Sequence, residues 1–182
     1  MNYEIWSIFN QIDIYEVLVV DFLGILFCSR GFEDDVVMLA DKKRTDKNTC
    51  VNQLLYPRKV TFELIKLAMN QGKGIYIYNN SYLTKKEVLE FLTSQDILLK
   101  PEHIVLKIEE CADANDKKEW LWLTTQKQVE DFEGEILKLD SPMEMLRTSA
   151  WKGILEEIKT DADRIVVTEL AARAFNDPFK KT

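Results

Sequence analysis

Residues 15–27 read YEVLVVDFLGILF, and this stretch decides the fold that the sequence predicts. Valine and leucine run without interruption from Val17 to Val20, and a single acid, Asp21, precedes a second apolar group around Gly24. A continuous apolar run rich in β-branched residues is typical of a strand buried on both faces, as in a parallel sheet covered by helices. Asp21 is then expected at the carboxyl end of the strand, the edge where open α/β sheets bind ligands.

Predicted helices and strands alternate along the rest of the chain. Apolar periodicity, capping residues and proline positions predict helices, and short β-branched or aromatic runs predict strands. The expected helices span residues 3–12, 31–40, 57–72, 84–95 and 141–158, and the expected further strands span 75–80, 103–108, 120–123 and 135–140. This alternation predicts βαβ units and an α/β domain with a mainly parallel sheet and right-handed crossovers.

Composition and charge exclude several classes of function. The chain has 182 residues, enough for one well-filled domain, and a net charge of −7 that argues against a nucleic-acid or anionic-membrane surface. Three cysteines, Cys28, Cys50 and Cys111, lack paired spacing, so we expect a reducing, cytoplasmic location. No basic segment followed by an apolar stretch marks a signal peptide, and no apolar run is long enough to predict a membrane span.

The residues that stand out by their rarity are expected to be structural. His103 is the only histidine, which excludes multi-histidine metal sites, and it is expected to be a solvated residue at a loop end rather than a catalytic base. Trp120 and Trp122 alternate within one predicted strand and therefore face the same side, where we expect them to be core. Their exposure would instead indicate a partner surface.

The order of these segments resembles the haloacid dehalogenase (HAD) superfamily. Three stretches resemble, more narrowly, the HAD-like domains of cell-surface polysaccharide biosynthesis proteins, often found beside glycosyltransferases. They are YEVLVVDFLGILF, GKGIYIYNNSYLTKKEVLEFL and EILKLDSPMEMLRTSAW, and the ending AFNDPF also resembles the way such domains close. The resemblance implies a three-layer, Rossmann-like α/β fold with a mainly parallel central sheet and a small cap insertion.

The resemblance also implies domain boundaries. Residues 1–182 form a single HAD-like domain, in which 15–28 and 56–158 are core, about 29–55 are a reduced cap and 159–182 are a C-terminal segment. Two aromatic residues of that last segment, Phe175 and Phe179, are expected to dock on the domain or on a partner.

The first catalytic motif implied by the resemblance is incomplete. Asp21 matches the nucleophilic aspartate, which is also a metal ligand in HAD phosphohydrolases. Leu23 stands where the acid/base belongs and Ile25 where a threonine is usual. In glycan-associated members the second acid can fall three residues on, and here that residue is Gly24. Carboxylate attack on phosphorus requires a proton for the leaving oxygen and neutralisation of developing charge, and these replacements remove the proton donor.

The second motif departs from the pattern as well. Asn79 takes the place of the Ser or Thr that holds the phosphoryl group, and Asn80 follows it. An amide N–H can donate to a phosphate oxygen, so both asparagines are candidate phosphate contacts. The alternative, which we favour, is that Asn79, Asn80 and Ser81 turn the chain and cap the following helix.

The remaining motifs leave several positions open. The phosphate-binding lysine has four candidates, Lys100, Lys107, Lys117 and Lys118, and the sequence does not choose among them. Thr124 and Thr125 replace the Gly-Asp pair of the family, so Glu130 and Asp131 are the acids left as outer metal ligands beside Asp21. One carboxylate is a poor cradle for Mg²⁺, which is a hard ion anchored by oxygen ligands.

Two functions from different classes follow. We favour a catalytically degenerate HAD-like domain in which Asp21 is a remnant held by neighbouring backbone N–H groups. Such a domain acts as an interaction or regulatory module with a protein partner in glycan assembly and needs no cofactor. The alternative is a divergent Mg²⁺-dependent phosphatase or phosphosugar-binding protein that uses Asp21. The sequence identifies neither a substrate nor an oligomeric state.

Overall fold

A computed structural model describes residues 3–29, 55–81, 83–111, 119–125 and 132–139, with a few single positions between 153 and 160. The chain divides into two compact units. The first comprises Met1, Phe27–Arg58 and Asp140–Thr182, and the second comprises Asn2–Leu26 and Lys59–Leu139. The candidate site residues that the structure describes all lie in the second unit.

The three helices and the five strands of the parallel sheet fall on segments that the sequence predicts as helix or strand, whereas the two short strands at 27–29 and 55–57 are not predicted. The helices are α1 (Tyr3–Gln11), α2 (Lys59–Asn70) and α3 (Lys85–Thr93). The strands are β1 (Val17–Asp21), β2 (Phe27–Ser29), β3 (Leu55–Pro57), β4 (Gly74–Tyr78), β5 (Ile104–Val105), β6 (Trp120–Thr124) and β7 (Glu135–Lys138). Short 3₁₀ turns occur at Ile12–Ile14, Pro101–His103 and Ile108–Glu110.

A five-stranded sheet of order β5-β4-β1-β6-β7 forms the second unit, and all of its pairings are parallel. The predicted α/β class with a parallel sheet is therefore confirmed. The strand that ends in Asp21 lies at the centre of the sheet. Asp21 is paired with Tyr78, the last residue of β4. Asn79 follows Tyr78 directly and therefore lies at the same carboxyl edge as Asp21.

The two faces of this sheet carry different side chains. One face is aliphatic, and its side chains are almost completely buried. They alternate along the strands with the residues of the other face and are Leu18, Val20, Ile77, Leu121 and Leu123. The other face is aromatic, because Val19 and Val105 pack there with tryptophans and tyrosines of β4 and β6. Burial on both faces explains why β1 is a continuous apolar run.

Helix α3 begins and ends close to where its sequence predicts, whereas α2 begins at Lys59, two residues after its predicted start, and Pro57 instead pairs with Phe27 at the end of β3. Thr84 caps α3 in a capping box, in which its Oγ1 accepts from the Glu87 N–H and its own N–H donates to Glu87 Oε2 at 2.7 Å. After α2 the chain turns through Gly72, whose φ of +76° is the left-handed conformation that favours glycine. Helix α2 lies against β4, and α3 lies against β5.

The strand predicted at 103–108 is wrong in its length. Only Ile104 and Val105 pair with β4, and Leu106 is half exposed, at 51%. The Leu106 N–H donates to Glu110 Oε2 at 3.2 Å, within the turn that contains Ile108–Glu110. A side-chain acceptor thus takes the hydrogen bond that a longer strand would have used.

In the first compact unit the described strands β2 and β3 form an antiparallel pair, in which Phe27 is opposite Pro57 and Ser29 is opposite Leu55. The cap predicted for about 29–55 and the helix predicted for 31–40 lie, apart from the ends of the cap, outside the described residues. Most of the helix predicted for 141–158 also lies outside the described residues.

The single-domain prediction remains a prediction. Among the helices that the structure describes, none has the length and apolar character to cross a membrane.

Candidate functional site

Strand register brings Asp21 next to the end of β6. Val19 is paired with Trp122 and Val20 with Leu123, so Asp21 and Thr124 occupy neighbouring positions at the carboxyl ends of parallel strands. Side chains alternate between the two faces of a sheet along each strand. Trp122 and Thr124 on β6 therefore lie on the same face of the sheet as Asp21 on β1. The acid at the end of β1 therefore meets polar groups 101 and 103 residues later in the chain.

Asp21 is completely buried, with 0% exposure, and both of its carboxylate oxygens accept hydrogen bonds. The Trp122 indole Nε1–H donates to Oδ1 at 2.8 Å. The Thr124 hydroxyl donates to Oδ2 at 2.6 Å, and the Thr125 backbone N–H donates to the same oxygen at 3.3 Å. A longer contact of 3.5 Å joins Asn80 Nδ2 to Oδ2. The predicted holding of Asp21 by backbone N–H groups is thus right for Thr125 only, and side chains are the main donors.

Burial raises the pKa of the Asp21 carboxyl from 3.8 to about 6. Removal from water disfavours the charged form, and the hydrogen bonds from Thr124, Trp122 and Thr125 oppose that effect without cancelling it. Among the described residues, no cation contributes to the shift. Asp21 is thus a buried acid that is stabilised by neutral donors.

Asn79 is engaged by the loop that follows it. Its Nδ2 donates to the Leu83 carbonyl at 2.7 Å, and its Oδ1 accepts from the Ser81 hydroxyl at 2.6 Å and from the Ser81 backbone N–H at 3.2 Å. The Ser81 hydroxyl in turn accepts from the Leu83 N–H. These contacts fit the predicted role in turning the chain, whereas the cap of α3 is Thr84. The role of Asn79 as a phosphate contact stays a prediction.

The Asn80 side chain joins the ends of β1 and β4. Its Oδ1 accepts from the Leu23 N–H at 2.7 Å, and its Nδ2 donates to the Leu23 carbonyl at 3.0 Å as well as approaching Asp21. One carboxamide thus satisfies both backbone polar groups of Leu23. As for Asn79, the role of Asn80 as a phosphate contact stays a prediction.

Gly24 permits the close approach of the loops after β1 and β6. Its φ is +93°, a left-handed conformation that side chains disfavour. A Cβ at this position would lie 2.6 Å from Thr125 Cγ2 and 2.8 Å from Thr125 Oγ1, too close for both residues to stay in place. Both its conformation and the nearby Thr125 side chain therefore favour glycine at this position.

Aromatic rings surround the indole that contacts Asp21. Tyr78 and Phe132 each pack edge-on against Trp122, with ring centroids 5.4 Å apart in both pairs. Trp120 stacks on Tyr76 with centroids 5.8 Å apart. Both tryptophans are only 4% exposed, so the prediction that they are core is confirmed. The rings hold the indole in the orientation that its hydrogen bond requires.

Several predicted site residues are described away from Asp21 or not at all. Lys100 forms an exposed ion pair with Glu102, Lys107 is exposed, and neither is a partner of Asp21. His103 is partly exposed and packs against Tyr76, while its Nδ1 is buried and makes no hydrogen bond with the described residues. Six further residues lie outside the described part of the chain: Lys117, Lys118, Glu130, Asp131, Phe175 and Phe179.

The groups around Asp21 do not fit a metal ion. Mg²⁺ binds carboxylate, carbonyl and water oxygens. Here the carboxylate is met by N–H and O–H donors, and such groups compete with a cation for its oxygens. Within the part of the chain that the structure describes, no three His, Cys, Asp or Glu side chains converge as metal ligands would.

Comparisons with models of protein families, with curated proteins and with solved structures give no match. The resemblance to the HAD superfamily therefore remains a prediction from three sequence motifs. The parallel sheet and the geometry at Asp21 stand independently of that resemblance.

Sequence reasoning did not identify the partners of Asp21. The sequence predicts Trp122 as core, and Thr124 and Thr125 stand out only as replacements for the Gly-Asp pair that the resemblance implies. One signal was present, because WLWL is followed by two hydroxyl residues, Thr124 and Thr125, which can donate hydrogen bonds to a carboxylate. Without the register of β1 against β6 this signal did not single out a pair.

Proposed function

We propose that the chain is a catalytically silent HAD-like domain that serves as an interaction or regulatory module in cell-surface glycan biosynthesis. The observation that carries the proposal is the engagement of Asp21, which is fully buried and whose oxygens both accept short hydrogen bonds. A nucleophilic carboxylate needs an oxygen that reaches the reacting atom. In this arrangement the carboxylate links strands. The glycan connection and the class of partner rest on sequence resemblance alone.

Electrostatics around Asp21 also support a silent site. A phosphate next to a buried carboxylate needs cations or free donors to offset the repulsion between the two anions. The described partners of Asp21 are neutral, and their donors already point at its oxygens. The amide of Asn79 donates to Leu83 and is not directed at a ligand. The phosphatase alternative therefore depends on Glu130 and Asp131, which lie outside the described residues.

Catalysis can be tested with purified protein and Mg²⁺ on a panel of aryl phosphates and sugar phosphates. We expect phosphate release no faster than in a protein-free control, both for the native chain and for Asp21→Asn. Circular dichroism would establish that both proteins are folded. Mg²⁺-dependent release that disappears in Asp21→Asn would refute the proposal and establish the phosphatase alternative.

The module part of the proposal needs a separate experiment. Immobilised native chain and Asp21→Asn would be exposed to purified glycosyltransferases and other glycan-assembly enzymes. We expect one of these enzymes to be retained equally by both proteins, because a binding surface does not depend on a buried carboxylate. Retention that is lost in a folded Asp21→Asn variant would show that binding depends on the Asp21 site. Retention of none of the enzymes would contradict the assigned partner class.

A further inference from the structure

Access to Asp21 differs between its two sides. Three of its partners come from β6 and the residue after it, and of these Trp122 is 4% exposed and Thr124 is 0% exposed. The fourth, Asn80, approaches from the end of β4, is partly exposed and makes the longest contact, at 3.5 Å. Opening on the β6 side would unpack buried rings and break short bonds. Opening at Asn80 moves one partly exposed side chain.

Asn80 also holds the loop that would have to move. Its carboxamide is bonded to both the N–H and the carbonyl of Leu23, at 2.7 and 3.0 Å. A two-point contact between a side-chain amide and the N–H and C=O of one residue fixes direction as well as distance. The same group thereby occupies one backbone donor and two acceptors, the Leu23 carbonyl and Asp21 Oδ2, at the carboxyl edge of the sheet.

We propose that the Asn80 carboxamide, which joins the ends of β1 and β4, is an intramolecular plug that seals Asp21 from solvent. The inference rests on the proposed function, since a site without a catalytic duty can remain closed by its own side chain. The plug makes the site autoinhibited toward small ligands. An anion that displaced it would gain the Leu23 N–H and meet the oxygens of Leu23 and Asp21, so phosphate is a poor competitor.

Chemical labelling of carboxyl groups tests the plug without an assay of activity. A water-soluble carbodiimide with an amine couples the amine to accessible carboxylates, and peptide mass spectrometry measures the extent at Asp21. We expect slow coupling in the native chain and coupling about tenfold faster in Asn80→Ala, because the variant lacks three hydrogen-bond contacts at this position.

Ser81→Ala is the matched control. It removes hydrogen bonds of the same loop to Asn79 and Leu83 but no contact with Asp21 or Leu23. We expect native-like labelling of Asp21 in this variant. Equal acceleration in both variants would overturn the proposal, since general loosening of the loop would then explain the access. Continued protection in a folded Asn80→Ala would also overturn it and assign the seal to Trp122 and Thr124.

A measurement on the native chain covers the case in which Asn80→Ala does not fold. The Leu23 N–H donates to Asn80 Oδ1, so its hydrogen exchange reports opening of the plug. We expect exchange at least tenfold slower than in an unstructured peptide of the same sequence, about the effect of one hydrogen bond. Exchange at the unstructured rate, or rapid labelling of Asp21 in the native chain, would overturn the plug whether or not phosphatase activity is found.

Discussion

Asp21 and Asn79 lie at the same carboxyl edge of neighbouring parallel strands, but their partners come from different distances along the chain. The side chains that bond to Asp21 are 59 to 103 residues away in sequence. The groups that bond to the Asn79 side chain lie two and four residues away. One residue ties strands together, whereas the other shapes a turn. The comparison shows that position at a sheet edge does not by itself determine what a polar side chain does.

Charge separates the two residues further. Asn79 is buried as a neutral amide with both of its polar ends paired, which costs little once the hydrogen bonds form. Asp21 is buried as an acid, and its raised pKa shows that the neutral donors compensate only in part. The stability of the strand-end region should therefore depend more on Asp21 than on Asn79, and only Asp21 should make it depend on pH.

The largest effect is expected for Asp21→Ala. The change leaves the Trp122 indole, the Thr124 hydroxyl and the Thr125 N–H without their acceptor in a buried place. Unsatisfied buried donors cost about 1–3 kcal/mol each, and relief of carboxylate burial offsets part of this. We expect the free energy of unfolding at pH 7 to fall by roughly 4 kcal/mol, measured by urea denaturation.

Asp21→Asn is the matched control for that experiment. It keeps the shape and one acceptor oxygen and removes the charge, so we expect it to cost less than half as much as alanine. If both variants cost the same and less than Asn79→Ala, Asp21 is not the tie between strands that the structure describes.

A change of pH is expected to alter the free energy of unfolding slightly less than Asp21→Ala does. The pKa of Asp21 is about 6 in the folded chain against 3.8 as the ordinary value, so the native state binds this proton more tightly than the unfolded state. Stability from this residue therefore rises as pH falls from about 6 towards 4 and is lost as pH rises through 6. The full span corresponds to about 3 kcal/mol, because one pKa unit equals about 1.4 kcal/mol.

Other carboxyl groups titrate in the same range, so the quantity to measure is the difference between the native chain and Asp21→Asn. Urea denaturation at several pH values between 4 and 7 gives both curves. We expect the native chain to gain on the variant as the pH falls. A difference that stays constant with pH, or one that shrinks as the pH falls, would show that the donors around Asp21 outweigh its burial.

Local signals explain what the sequence predicted well. The cap at Thr84, the helix end at Gly72 and the buried run of β1 each depend on residues close together in sequence, and all are present in the structure. The place of Asp21 at the carboxyl end of a buried strand in a parallel sheet also followed, since a continuous apolar run that ends in an acid indicates such a strand. The roles of Trp122 and Thr124 did not follow, because they depend on the register of β1 against β6, two strands that are far apart in the sequence and joined by no hairpin turn.

Asn79→Ala is the next prediction in order of size. It removes the bonds to the Leu83 carbonyl and to the Ser81 N–H and hydroxyl, and the site is buried. We expect a loss of about 2 kcal/mol in the free energy of unfolding, independent of pH between 4 and 7. Thermal or urea denaturation of this variant beside Asp21→Ala checks the ranking. A cost that varied with pH would indicate that Asn79 is coupled to Asp21 after all.

The smallest effect is expected at a purely local contact, the cap of α3. Thr84→Ala removes the side-chain half of the capping box, in which Oγ1 accepts from the Glu87 N–H and donates to Glu87 Oε2. Substitution of a threonine cap by alanine costs about 1 kcal/mol, and the exposed position offers water as a substitute partner.

Thr93→Ala is the matched control, because it removes a hydroxyl from the last turn of the same helix, where Oγ1 donates to the Leu89 carbonyl. We expect Thr93→Ala to change the free energy of unfolding by less than half as much, since that carbonyl already lies in the helical backbone and loses no unique partner. Equal losses for the two threonines would mean that helix propensity rather than capping controls the stability of α3. A loss at Thr84 as large as that at Asp21 would remove the distinction between local and long-range ties.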